Sequence, residues 1–317
     1  MSVTMRDVAR RSGVSVATVS NVLHDTAPVA APTRERVMRA IDELGYRQNE
    51  VARSLKRRTT HTLGVAIPDA LNPFHASIAL EVERRAHRDG FAVLVAETEN
   101  DPEIEADQVR ALVGRRVDGV IFPAVTAGSE IPGELLDRGI PVVVVSFEAQ
   151  DPRLGMIVVD EAAAMEHVVA HLVGHGHRSI AFLHSGAREE QVDLRPEAVR
   201  AALARRGLQA AAGVDEATAV CCTNDVVAIR LIDELEGRGV RVPEDVSVVG
   251  FDDIPLAAHR RIDLTTVRQP AREMGRMAAE MALSAISERR PAAGRVVMPT
   301  ELVVRGSSGP VRSRVAV

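Results

Sequence analysis

Short runs of β-branched residues recur through most of this chain, and they constrain its fold more than any other feature. LGVAI, FAVLVAE, DGVIF and PVVVVS follow one another from Leu63, separated by charged segments of helical period. IVVD opens a second series, continued by SIAFLHS, TAVCCTND and VSVVGFDD. Apolar runs this short suit strands buried on both faces. Their alternation with helical segments implies parallel sheets with helices on both sides. Two such series in 317 residues are too much for one simple core and imply two or three domains.

Composition narrows the class. No apolar run is long enough for a membrane span, and MSVTMRDVAR has no apolar signal core. The expectation is a cytoplasmic protein without a membrane partner. The two cysteines, Cys221 and Cys222, are neighbours inside an apolar run, an arrangement poor for a relaxed disulfide and suited to buried, reduced thiols. The formal charge of −5 is unevenly spread. Residues 1–60 hold eleven basic and six acidic side chains, +5, so the remainder carries −10. A basic head on an acidic body implies a polyanionic partner at the N-terminus.

The head carries its own pattern. Thr4 and Asp7 read as a capping box, and Val8 and Ala9 give the following helix an apolar side. Ser12-Gly13-Val14 supplies a tight turn. Ser15 can cap a second helix, with Val19, Val22 and Leu23 on one side and Val16, Ala17, Ser20 and Asn21 on another. Thr33 is expected to cap a third helix, whose stripe is Val37, Ile41 and Leu44 and whose end is Gly45. Three short helices with a tight turn between the first two describe a helix-turn-helix.

Residues 4–60 resemble the DNA-binding head of the lactose-repressor (LacI/GalR-type) family. The likeness rests on T-x-x-D-V-A-x-x-S-G-V-S-x-x-T-V-S-x-V-L, then T-R-x-R-V and L-G-Y. It implies that Val16, Ala17 and Asn21 read base edges in the major groove, with Thr4, Ser15, Thr18, Ser20 and Thr33 near phosphates. NEVARSLKRRTTHT resembles the family's hinge, which forms a helix on operator DNA. Asn49, Ala52 and Leu55 then lie at the minor groove, and Leu55 matches the leucine that opens a base step. Gln48 stands where the family usually has proline.

The likeness continues through P-D-x-x-N-P-F (Pro68 to Phe74), G-H-R-S-I-A, T-N-D, S-V-V-G-F-D-D, L-T-T-V-R-Q-P and E-L-V-V-R-G, close to the whole chain. It implies a two-lobed periplasmic-binding-protein-like core. The division expected is a head over 1–46, a hinge over 47–61 and an effector-binding and dimerisation core over 62–317. Within the core, one lobe takes about 62–160 and 271–290 and the other about 161–270 and 291–317. A ligand in this fold lies beyond the carboxyl ends of the strands. The candidates are therefore Asp69, Asn72, Ser146, Asn224, Asp252 and Gln269, with Phe74 able to stack on a ligand ring and Arg195 matching the family's effector-contacting arginine. The ligand class implied is a sugar, polyol or nucleobase, with no cofactor. Asp and Asn at strand ends are equally ordinary helix caps and turn formers.

The chain departs from the family in places. Ser146 stands where many members have an acid, Ala164, Ala198 and Arg230 replace glycines, and the stretch between Leu203 and Cys221 lacks room for an expected strand and helix. Such a pair and its connections take about 20 residues. Losing an edge strand and its covering helix leaves a thinner, more mobile C-terminal lobe and a changed or lost effector site. It also forces the preceding helix to change face, or the crossover to break the right-handed rule.

No phosphate-binding glycine motif or nucleophile elbow occurs. His171, His175 and His177 have metal-like spacing but lack a clear fourth ligand. Asp252 and Asp253 are adjacent at a strand end and point apart, so they form no acid–base pair. The sequence thus describes a dimeric, sequence-specific transcriptional regulator, most simply a repressor, and not an enzyme. Its operator is a pseudo-palindrome mirroring the dimer axis. Two alternatives remain: a constitutive DNA binder with a degenerate effector site, and a sugar-binding protein with a basic head.

Overall fold

The computed structural model describes residues 3–24, 27–46, 59–126, 129–146, 148–184 and 193–311. The chain forms two compact units, residues 1–60 and 61–317. The expected hinge residues Asn49, Ala52 and Leu55 lie outside the described residues.

The first unit contains α1 (Met5–Ser12), α2 (Val16–His24) and α3 (Ala31–Leu44). Val8, Ala9, Val19, Val22, Val37 and Ala40 form its small core. Gly13 and Gly45 end α1 and α3 in the left-handed region, at φ 67° and 61°, where a side chain would be strained. One local expectation fails. The helix α3 starts at Ala31, with Ala30 at the cap and Pro32 in the first turn, so Thr33 is inside the helix. Proline pre-sets the backbone angle of a first turn and lacks the N–H that would go unpaired there, so the helix starts at Ala31, a turn earlier than a Thr33 cap would allow.

The second unit has two sheets. The first contains β1 (Thr62–Ile67), β2 (Ala92–Glu97), β3 (Gly119–Phe122), β4 (Val142–Val145), β5 (Gly155–Val159) and β10 (Gly294–Met298). Its order is β10-β5-β4-β3-β1-β2, all parallel. Side chains alternate between its faces. Val143 and Val145 join the core that holds α4 (Pro73–Arg88) and α10 (Ala271–Glu288). Val142 and Val144 join the core under α5 (Pro102–Gly114) and α6 (Ile131–Asp137). Both faces are covered, which is why the runs contain no polar alternation. The helices α4 and α10 meet at Gly275, where a Cβ would lie 2.6 Å from the Ile78 carbonyl oxygen.

The second sheet contains β6 (Ile180–Leu183), β7 (Ala219–Cys222), β8 (Ser247–Asp252), β9 (Thr265–Arg268) and β11 (Glu301–Val303), in the order β11-β9-β8-β7-β6. Only β11 is antiparallel, at an edge. The helices of this lobe are α7 (Glu161–Gly174), α8 (Arg195–Ala204) and α9 (Asp225–Gly237). The chain changes lobes after β5, after β9 and between β10 and β11. The last change corrects the expected division, which put everything after residue 290 in the second lobe. The strand β10 completes the first sheet beside β5, because Arg295 to Met298 extend in register with Met156 to Val159.

The shortened stretch after Leu203 has a simple geometry. The helix α8 is held beside α7 by Glu166, which pairs with Arg206 at 2.5 Å and with Arg205. The chain then passes the outer edge of β6, touching it at one bridge between Ile180 and Ala210. A single 3-10 turn, Val214–Glu216, leads into β7. One bridge and one turn stand where a strand and a helix were expected. The chain still goes round the sheet edge, so neither a change of face nor a left-handed crossover is required.

Candidate DNA-binding surface and effector site

In the head, the start of α2 is held rigidly. Thr18 N–H donates to Ser15 Oγ at 3.0 Å, and the two hydroxyls lie 2.8 Å apart. Val19 and Val22 anchor the opposite side in the core. Val16 and Ala17 are left exposed at the first turn, with Ser20 and Asn21 half-buried behind them. An exposed valine in a small polar head is an apolar surface of the size of a thymine methyl. At the start of α1, Thr4 donates both its N–H (3.0 Å) and its hydroxyl (2.6 Å) to Asp7, which lowers the Asp7 pKa. Arg11 pairs with Glu43 across the head.

In the second unit the expected residues fall at the carboxyl ends of strands, but their roles differ. Asp69 accepts from Leu71 N–H at 2.7 Å in the turn after β1. Asn72 caps α4 by accepting from Phe74 N–H at 3.0 Å, and Asn224 caps α9 by accepting from Val227 N–H at 2.9 Å. Capping engages one oxygen of each amide. Phe74 is buried in the core, so its ring is not open to stack on a ligand. Arg195 lies over Phe251, its guanidinium carbon 4.8 Å from the ring centroid. Ser146 follows β4 at φ 54°, and its buried Oγ has no hydrogen-bond partner among the described residues. Asp252 (φ 124°) accepts from Gln269 Nε2 at 2.8 Å, while Gln269 Oε1 is buried without a donor among the described residues. Asp253 turns away to Arg268 (2.7 Å) and Arg305 (2.6 Å), as adjacent strand-end residues should.

Arg195 forms the centre of this site, in company the sequence reading missed. Its Nε donates to Asp193 at 2.6 Å, and its terminal nitrogens donate to the Thr223 carbonyl at 2.6 Å and Thr223 Oγ1 at 3.2 Å. Thr223 in turn donates to Asp193 at 2.9 Å. Glu161 lies 3.6 Å from Arg195, and His184 lies 3.7 Å from Asp193. Burial pushes the Glu161 pKa up, and Arg195 opposes that shift. Asp193 also accepts from Arg195 N–H at 3.0 Å at the start of α8. That acid-before-helix pattern was the one signal in the sequence that could have flagged it.

The histidines are structural. His171 bonds Ser308 (2.9 Å), and His177 bonds Thr218 (2.9 Å) and the Gly309 carbonyl (3.0 Å), stitching the C-terminal segment to the second lobe. Among the described residues no group of three or more His, Cys, Asp or Glu is arranged to hold a metal ion. Nor is any helix there long and apolar enough to cross a membrane.

Comparison with known proteins agrees with this architecture. Residues 4–49 match the model for bacterial regulatory proteins of the lacI family. Residues 60–215 match the periplasmic binding proteins and sugar binding domain of the LacI family, and residues 169–308 a periplasmic binding protein-like domain. The HTH-type transcriptional repressor PurR of Photobacterium profundum is 32% identical, over 96% of this chain and 98% of that protein. The chain belongs to the lacI family of bacterial regulators. The HTH-type transcriptional regulator DegA of Bacillus subtilis is 31% identical over 99% of the chain and all of its own length. Among solved structures, the Lac repressor dimer bound to operator and an anti-inducer superposes with a TM-score of 0.84 at 27% identity, covering 98% of this chain and 100% of that one. The regulator CelR with cellobiose gives 0.68 at 28% identity, covering 96% and 100%. This lacI-family protein is therefore a DNA-binding transcriptional regulator, not an enzyme. Its head, parallel sheets and two lobes follow the family fold.

Proposed function

We propose that this regulator is a cytoplasmic repressor that binds a pseudo-palindromic operator as a homodimer and responds to a small polyhydroxylated effector. Val16, Ala17 and Asn21 read bases, while Thr4, Ser15, Thr18, Ser20 and Thr33 fix the register on phosphates. Asn49, Ala52 and Leu55 act at the minor groove. A single small head makes too few contacts for tight specific binding, which favours a dimer. The observation that carries the reading is the exposed Val16–Ala17 turn on a helix locked by the Ser15 cap and the valine core. The effector binds among Asp69, Asn72, Ser146, Arg195, Asn224, Asp252 and Gln269, and changes DNA affinity by altering the relation of the lobes.

A gel shift on the protein's own promoter region tests the first part. Specific retardation that survives excess unrelated DNA is expected, and its absence refutes the regulator reading for that site. A constitutive binder with a degenerate pocket is disfavoured by Gln269 Oε1, a buried acceptor without a donor among the described residues.

A further inference from the structure

Arg195 is the one cation among the described residues that reaches this cluster at hydrogen-bonding distance, and each of its nitrogens already donates one hydrogen bond within the cluster. Asp193 takes Nε, and Thr223 takes both terminal nitrogens. The Asp193 side chain is 2% exposed, so this counter-ion is built in rather than borrowed from solvent. Glu161 is the surplus charge. It comes no closer than 3.6 Å to Arg195 and accepts no hydrogen bond from a described residue, yet its side chain is 24% exposed and open to a ligand. One guanidinium thus faces two carboxylates. Asp252, held by Gln269 and other groups, adds further negative charge near Arg195.

A second, independent observation points the same way. Gln269 is 6% exposed, its Nε2 is bonded to Asp252, and its Oε1 has no donor. Among the described residues the site therefore has carboxylates in excess of its one guanidinium. A buried carboxylate without a full partner is destabilised, and burial indeed raises the Glu161 pKa. A carboxylate or phosphate ligand meets net negative charge, and the one guanidinium it could use is already paired with Asp193. A ligand bearing N–H donors and positive charge removes both deficits.

We propose that the effector is a polyhydroxylated molecule carrying a protonated amine, of the amino-sugar class, and that Glu161 receives the ammonium while Gln269 Oε1 accepts a further donor. This rests on the effector-site reading above and makes Glu161 its specificity-determining residue.

The test uses the full-length protein in thermal-shift titrations at pH 7.5. The probes are the gluco, galacto and manno forms of four ligand types: the 2-amino sugar, the neutral parent sugar, the N-acetylated amino sugar and the uronate. For at least one configuration, the amino sugar is expected to half-saturate at a concentration at least tenfold lower than its neutral parent, its N-acetyl form or its uronate. Glu161→Gln should abolish that tenfold preference while neutral-sugar binding stays within about twofold. Asp193→Asn frees Arg195 and should weaken the amino sugar with Glu161 intact, which keeps the idea falsifiable if E161Q does not fold. Equal binding of amino and neutral sugars, or an unchanged preference in a folded E161Q, overturns the proposal and leaves the effector reading standing. Preference for the uronate or the N-acetyl form also overturns it. Binding of none of the twelve overturns the amino-sugar proposal alone.

Discussion

Replacing Asp225 removes a buried acceptor that ties three separate segments together. Asp225 opens α9 and is fully buried. Its carboxylate accepts from Ile254 N–H at 2.8 Å and Thr266 Oγ1 at 2.5 Å, joining α9 to the turn after β8 and to β9. It fits because residue 250 is glycine, since a Cβ there would overlap Asp225 Oδ1. Asp225→Ala leaves two buried donors unsatisfied, at about 1–3 kcal/mol each, so about 3–5 kcal/mol is lost. At about 2 °C per kcal/mol for a body of this size, the thermal midpoint should fall by about 6–10 °C. Asp225→Asn keeps the shape. Its Oδ1 can accept from Ile254, and its amide can donate to a rotated Thr266 hydroxyl, so the loss at pH 5 should stay under about 2 °C. The pH dependence has a definite sign. Burial pushes the Asp225 pKa from its ordinary 3.8 up to about 7. Between these values the folded state holds a proton that the unfolded chain has lost, so stability from this group falls as pH rises from about 4 to about 7. The total is of order 4 kcal/mol at 1.36 kcal/mol per pH unit. The Asp225→Asn variant has no such slope and should gain on wild type between pH 5 and pH 8. Thermal midpoints of the three proteins at pH 5, 6, 7 and 8 check this. A D225A midpoint within 2 °C of wild type at pH 5, or a wild-type to D225N difference that does not change with pH, refutes the reasoning.

Three further outcomes follow from other parts of the molecule. Ala17→Tyr and Asn21→Ala should each cut specific operator affinity by about 10- to 100-fold while leaving nonspecific DNA within about threefold, measured by gel shift at fixed salt. Equal weakening on both DNAs would mean these residues only shape the head. Gly275→Val forces a side chain against the Ile78 carbonyl and should cost about 1–3 kcal/mol, a drop of about 2–6 °C by thermal scan. Glu166 has its pKa held down to about 2 by Arg206 and Arg205. Its contribution is present above about pH 4.5 and lost as pH falls toward 2. Because the clamp is near the surface, Glu166→Gln should cost under about 1 kcal/mol at pH 7, and the difference from wild type should vanish in acid.

The sequence by itself determined what local chemistry controls. The strand runs, the left-handed glycines at 13 and 45, the Ser15 cap and the two sides of α2 each follow from a few neighbouring residues. The family likeness added the two-lobed plan and the list of strand-end residues. The position of α3's first residue escaped because Pro32 and Thr33 carry competing signals one residue apart. Only the tertiary structure decided what depends on residues distant in sequence. It put β10 beside β5, reduced the missing edge strand to one bridge at Ala210, and buried Phe74 in the core while setting Phe251 under Arg195. It also brought Asp193, Glu161 and Thr223 around Arg195, although Glu161 and Thr223 stand in separate stretches far from it in the chain. Strand ends announce themselves because each is a local change from apolar to polar. The charge balance of the site does not, because it is a sum over side chains that meet only once both sheets have formed.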